Sequence, residues 1–261
     1  MCCLLVELLT VKALFRVPAR RSLRLPTWGC YAYNRTMLKS YHLEITRLAM
    51  GERFSPNALE KITAANLYQD RLFGLIGHDE YHFDGSAFEK SYRYVEGQRA
   101  QVISSLMAND AVSAWSAFGR LTHTVQDFYS HSNYVELWLG SRSNGKVPTP
   151  AEIDPVDPDL INSPALHSGK VYLPLEALYY FSFFKPLLRP ILPRDSHAWM
   201  NIDSPEQGPN FAYVFQAAVK RTKIEFEKTT HDLPKDLFTL FIDGKVEELY
   251  LRRAGRTGEN R

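Results

Sequence analysis

Cysteine is scarce: Cys2, Cys3 and Cys30 are the three in the chain, all near its start. That excludes a disulfide framework and a paired-cysteine zinc knuckle, so any zinc would rest on histidine and carboxylate, the pattern of an open site. No run approaches the ~20 apolar residues of a membrane span. The chain also lacks an internal repeat, a glycine-rich phosphate loop, a Gly-x-Ser-x-Gly elbow and a sequence-local Ser/His/Asp signature. Charge of one sign is missing too. The 31 Lys and Arg stand against 29 Asp and Glu, a net +2 that gives no strong pull toward nucleic acid or anionic membrane.

What is present is apolar and aromatic. Hydrophobic residues make up 45% of 261, enough for one large domain around a single core. Residues 1–27 stand apart from it. MCCLLVELLTVKALF is interrupted by Glu7 and Lys12, and Arg16, Arg20, Arg21 and Arg24 follow the apolar run instead of preceding it. The segment reads as a leader or a disordered N-terminal stretch, with an anchor and a misassigned start also open. Secretion follows only if it acts as a leader. Residues 28–250 are expected to form a helical metal-binding domain, and 251–261 a polar tail.

Apolar residues at helical spacing predict helices at about 41–50, 56–68, 88–108, 111–130, 173–184 and 209–229. Ser55-Pro56 reads as an N-cap followed by proline at the first helical position, and Asp110 as the cap of the helix that follows it. HDEYHFDGSAF (78–88) has turn chemistry at Asp84-Gly85 and reads as a loop holding His78, Asp79, His82 and Asp84. Residues 139–170 read as a long functional or mobile loop, with His167 solvated in it. His231 reads as a surface residue at a helix C-terminus. LEALYYFSFFKPLLRPILP (175–193) reads first as core packing, with a rim that dips into lipid as the lesser reading.

The chain is organised around GRLTHTVQDFYSHSNYVELW (119–138). His123, Asp127 and His131 recur every fourth residue, so at ~100° per residue they share roughly 80° of a helix face. Phe118, Leu121, Val125 and Phe128 make the remaining surface apolar, and the helix is expected to be buried nearly all round. Two imidazoles and a carboxylate on a buried face need partners, and a divalent cation serves all three.

Beyond that helix, HLEITR with His42, AAN…D ending at Asp70, YHFDG with His82, THTVQDFYSHSNYVE and SHAWMNIDS resemble the zinc-dependent phospholipase C and single-strand nuclease superfamily. They are most similar to its Het-C branch, named for a heterokaryon-incompatibility protein, over roughly residues 28–230. The resemblance implies an all-α, multi-helix domain of the phospholipase C/nuclease type with two or three zinc ions. Its ligands would be His42, Asp70, His82, His123, Asp127, His131 and His197, with Asp127 bridging and Asp70 and Asp127 catalytic. The chain has Asn201 where the enzymes carry a carboxylate four residues after the last histidine, and Asp203 is the candidate substitute. Trp28 would add a ligand if the chain were cleaved before it. The implied function is zinc-dependent hydrolysis of a phosphodiester, a phospholipid ahead of nucleic acid, with a peripheral membrane contact open. The alternative is a non-catalytic Het-C-like protein in which metal holds the helices together for recognition or membrane association.

Overall fold

The computed structural model describes residues 37–71, 74, 77–142, 145, 147–179 and 183–245, and in them the chain is helical. Before the middle of the chain the described residues form α1 (Met37–Met50), α2 (Pro56–Tyr68), the one-turn α3 (Asp79–His82) and α4 (Phe88–Met107). Next are α5 (Ala111–His131), α6 (Tyr134–Ser141) and four short helices, α7 (Pro158–Ile161), α8 (Leu175–Tyr179), α9 (Lys185–Leu188) and α10 (His197–Met200). Last are α11 (Phe211–Thr230) and α12 (Lys235–Asp243). Among the described residues there is no strand; two isolated bridges join Ser132 to Ser168 and Lys170 to Ser196. These residues form one all-α domain.

The axis of the domain is α5. Asp110 caps it, accepting a hydrogen bond from Ser113 N at 2.9 Å. Every residue from Leu121 to His131 is buried, as an apolar helix with a narrow polar stripe requires. Helices α2, α4 and α11 pack directly on it, and α1 lies against α11 and α2. Gly119 sets how near α2 can come: a Cβ there would lie 2.3 Å from Ile62 O and 2.7 Å from Ala65 Cβ. At the end of α5 away from the histidines, Phe54 and Phe118 each meet Phe226 and Phe241 edge-on, with centroids 5.0 to 6.3 Å apart. Trp115 donates its indole N–H to Phe241 O at 2.6 Å, which ties α12 to that cluster.

The expected helices agree with the structure where the period is long. Ser55 Oγ accepts from Ala58 N at 3.4 Å ahead of Pro56, as the N-cap reading required. Helices α6 and α12, 8 and 9 residues long, were not predicted. Of the helix expected over 173–184, the described residues hold α8, and α9 follows beyond it. Leu173–Pro174 and Phe183–Phe184 are turns, and Pro186 lies in the first turn of α9, where its missing N–H costs no helical hydrogen bond. The stretch's default reading as core is corrected, because Leu173, Leu175, Leu178, Phe183, Leu187 and Ile191 are exposed.

The loop expected over 139–170 is docked where it is described. Ile153 is fully buried, Tyr134 OH donates to Asp154 O at 2.7 Å, and Lys220 Nζ donates to Ala151 O and Ile153 O at 2.7 Å. Residues 1–27, with Trp28, and the tail 251–261 lie outside the described residues.

Candidate metal centre

Two groups of nitrogen and oxygen donors lie along the buried stripe of α5. The first joins His42 from α1, Asp70 just after α2, and His123 and Asp127 from α5, with one ligand atom from each within 4.8 Å of the others. Asp127 is its hub. Its Oδ1 lies 3.0 Å from His42 Nε2, and its Oδ2 lies 3.0 Å from His123 Nε2 and 2.7 Å from His82 Nδ1. His123 Nε2 is also 3.2 Å from His82 Nδ1 and 3.5 Å from Asp70 Oδ1.

What surrounds these imidazoles fixes which nitrogen faces inward. Gln126 Nε2 donates to Thr46 Oγ1 and Thr222 Oγ1 at 3.2 Å, so its Oε1 is left to accept from His42 Nδ1 at 2.7 Å. Thr222 cannot reverse that assignment, since its hydroxyl donates to Ala218 O. Asn66 Nδ2 donates to the same Gln126 Oε1 at 3.2 Å. On the other side, His82 Nε2 lies 3.2 Å from Gly74 O, a carbonyl that can only accept. Both rings therefore turn an N–H outward and aim the second nitrogen at the Asp127 carboxylate. A lone pair there would repel the carboxylate, and a proton or a metal cation between them removes the repulsion.

The second group is Asp84, His131 and His197, again with ligand atoms within 4.8 Å of one another. Asp84 Oδ1 lies 3.1 Å from both His131 Nδ1 and His197 Nδ1. His131 Nδ1 also lies 3.0 Å from His82 O, which joins the two groups through one residue. The turn holding Asp84 is built by Phe83, whose φ of 57° is left-handed, followed by Gly85 at 61°; it buries both His82 and Asp84. His197 is held from behind by its own N–H to Lys170 O at 2.9 Å. Gly169 lets α10 come close, since a Cβ there would lie 2.8 Å from His197 Cα.

Burial works against charge on His42, His82, His123, His131, Asp84 and Asp127, and the neighbours decide the outcome. For His42 burial is outweighed by Asp127, and its pKa is pushed up to about 9. His82 and His131 are likewise raised against their burial, chiefly by Asp127. His123 stays lowered, because burial prevails over the pull of Asp127 and Asp70. The carboxyls of Asp127 and Asp84 are held far below the usual range despite burial, Asp127 by His123, His131 and His42, and Asp84 by His197 and His131.

The donor set fits a metal. Asp70 Oδ2, His123 Nδ1 and Asn201 Oδ1 are buried with no hydrogen-bond partner, and all three belong to or adjoin the two groups. All the expected ligands from the described residues come together, though two stand slightly apart. His82 reaches Asp127 without joining the first four, and Asp203 Oδ1 lies 3.6 Å from His131 Nε2, beside the second group. Asn201 Nδ2 contacts His197 Nε2 at 3.0 Å. Asp84, which the structure adds to this cluster, was not among the expected ligands. The signal was present in His82-x-Asp84, but Asp-Gly had already been read as a turn. His78 pairs with Glu80 and His167 bonds within its own loop, so neither belongs to the site.

Comparison with known proteins points away from the expected family. A family model for the VWA7 N-terminal domain matches residues 36–147. The rat and human proteins named von Willebrand factor A domain-containing protein 7 are each 34% identical to the chain over 80 residues, and the mouse protein 32%. The chain is similar to VWA7. These matches cover 31% of this chain, which spans 9% of the length of the relatives. No solved structure matches it.

The Het-C resemblance is thereby overturned. The phospholipase C-like or nuclease-like hydrolase it implied, and its Het-C-like non-catalytic alternative, fall with it. The five motifs failed as family markers for a physical reason. Short His/Asp patterns report which side chains meet, and unrelated helical proteins reach the same meeting. The VWA7 match itself contains His42, Asp70, His82, Asp84, His123, Asp127 and His131, and stops short of His197 and Asp203.

Proposed function

We propose that this chain is a helical domain of the VWA7 N-terminal kind that holds divalent transition-metal ions in its core. The observation that carries the reading is the inward aim of His42 Nε2 and His82 Nδ1 at Asp127, each ring fixed by an acceptor behind it. His42, Asp70, His82, His123 and Asp127 are the ligands of the first ion, and Asp84, His131 and His197 those of the second, with Asp203 beside them. Zinc suits the set, since imidazole nitrogen and carboxylate oxygen are ligands it takes readily. When bound, the metal supplies positive charge that neutralises Asp127, Asp70 and Asp84, and links segments far apart in sequence. Asp70 and Asp127 act as ligands in this reading, with no catalytic role. Gln126 and Gly74 orient the rings that the metal meets.

Cobalt(II) titrated into chelator-stripped protein tests this directly. The expected result is visible absorption that saturates stoichiometrically and is displaced by zinc. Absorption no stronger than that of free cobalt would overturn the reading.

A further inference from the structure

The near-balanced charge of the whole chain conceals a segment of one sign. From Ala177 to Arg194 there is no acidic residue, while Lys185, Arg189 and Arg194 are all basic and exposed. Described residues from Phe183 onward turn apolar side chains to water. Leu187 and Ile191 stand four residues apart on the outward side of the turn that begins with α9, 65% and 63% exposed, and Phe183 is 84% exposed. Leu188 and Leu192 take the inward side, at 6% and 4%. A surface turn ordinarily pairs an apolar inner face with a polar outer one. Here the inner face is already filled, and the outer one is apolar as well.

This ridge is held in place. Trp199 of α10 donates its indole N–H to Arg189 O at 2.9 Å and Leu192 O at 3.2 Å. The guanidinium groups of Arg189 and Arg194 lie over the Trp199 ring, 4.4 and 3.8 Å from its centroid. Asp195, the acid that follows the segment, is occupied by Lys170 Nζ at 3.0 Å and Tyr172 OH at 2.8 Å.

We propose that the ridge of Phe183, Leu187 and Ile191 docks on a lipid bilayer carrying anionic headgroups. The apolar side chains enter the acyl boundary, and Lys185, Arg189 and Arg194 lie at headgroup level, where long cationic side chains keep their charge in the polar layer. Charge complementarity selects this occupant. Area supports it, because three such side chains offer on the order of a few hundred Å², short of the ~800 Å² per partner of a stable protein interface. The inference rests on neither a family relation nor the metal site.

Co-sedimentation of the full chain with phosphatidylcholine vesicles, with and without a quarter of phosphatidylserine, tests it. The chain should sediment with the anionic vesicles. F183S/L187S/I191S should lose at least about tenfold in partitioning at unchanged melting temperature. Lys185→Gln with Arg189→Gln should lose roughly fivefold per cation on anionic vesicles and little on neutral ones. Wild-type protein left in the supernatant, or a triple-serine variant that sediments equally, would overturn the proposal. So would a wild-type dimer, seen by light scattering, that the triple-serine substitution disperses.

Discussion

Asp127 receives three imidazole nitrogens, and its replacement by asparagine keeps the shape while removing the charge that they and a metal require. Asp127→Asn should cut metal content and lower the melting temperature of the metal-loaded protein by several degrees, of the order expected when a buried set loses its counter-charge. Gln126→Leu removes the acceptor that turns His42 inward, and should weaken metal binding roughly 10- to 100-fold without abolishing it. Competition against a chromogenic chelator measures both.

In the stripped protein the His42 pKa, raised to about 9 against burial by Asp127, sets a pH dependence. A folded-state value above the ordinary 6.5 contributes stability that is fully present below about pH 6.5 and is lost as pH rises through about 9. The stripped protein should therefore melt lower at pH 9 than at pH 6.5. Metal affinity should move the other way, because ligand imidazoles must shed protons to bind. Thermal melts with and without chelator across this range check the crossing. Of these residues, only His123, Asp127 and His131 were legible from spacing, since a helix face is fixed by sequence separation alone. His42, Asp70, His82, His197 and Asp203 entered through a family resemblance that the VWA7 match overturns. Asp84 escaped because its Asp-Gly step reads as a turn, while the left-handed Phe83 before it is what turns the carboxylate inward.

At the level of helices, the long amphipathic ones were read nearly to the residue, as α2 and α5 illustrate. Capping and period agree there, and burial follows the pattern. The 175–193 stretch failed because its composition is mostly apolar with no helical period to its few charges. Such a run looks the same whether it lies in a core or on a surface, and only packing tells them apart. Gly119 carries the tightest helix contact. A methyl group at 2.3 Å from Ile62 O must push α2 away, so Gly119→Ala should destabilise by about 1–3 kcal/mol, as overpacking does. Denaturant unfolding would show it, and wild-type stability in that variant would mean that α2 and α5 are not in close contact.

For the whole molecule, the metal reading makes the ions long-range ties. The first joins α1, α2, α3 and α5, and the second brings the Asp84 turn and α10 to the end of α5. Chelation should therefore lower the melting temperature cooperatively across the domain instead of fraying one edge. Elemental analysis of the full chain, purified without chelator and compared with its Asp127→Asn variant, tests the account most directly. About two equivalents of zinc or another divalent transition metal are predicted for the wild type, with a clear loss in the variant. Wild-type protein with no bound metal and no uptake on addition, or an Asp127→Asn variant with full metal and an unchanged melting temperature, would contradict it.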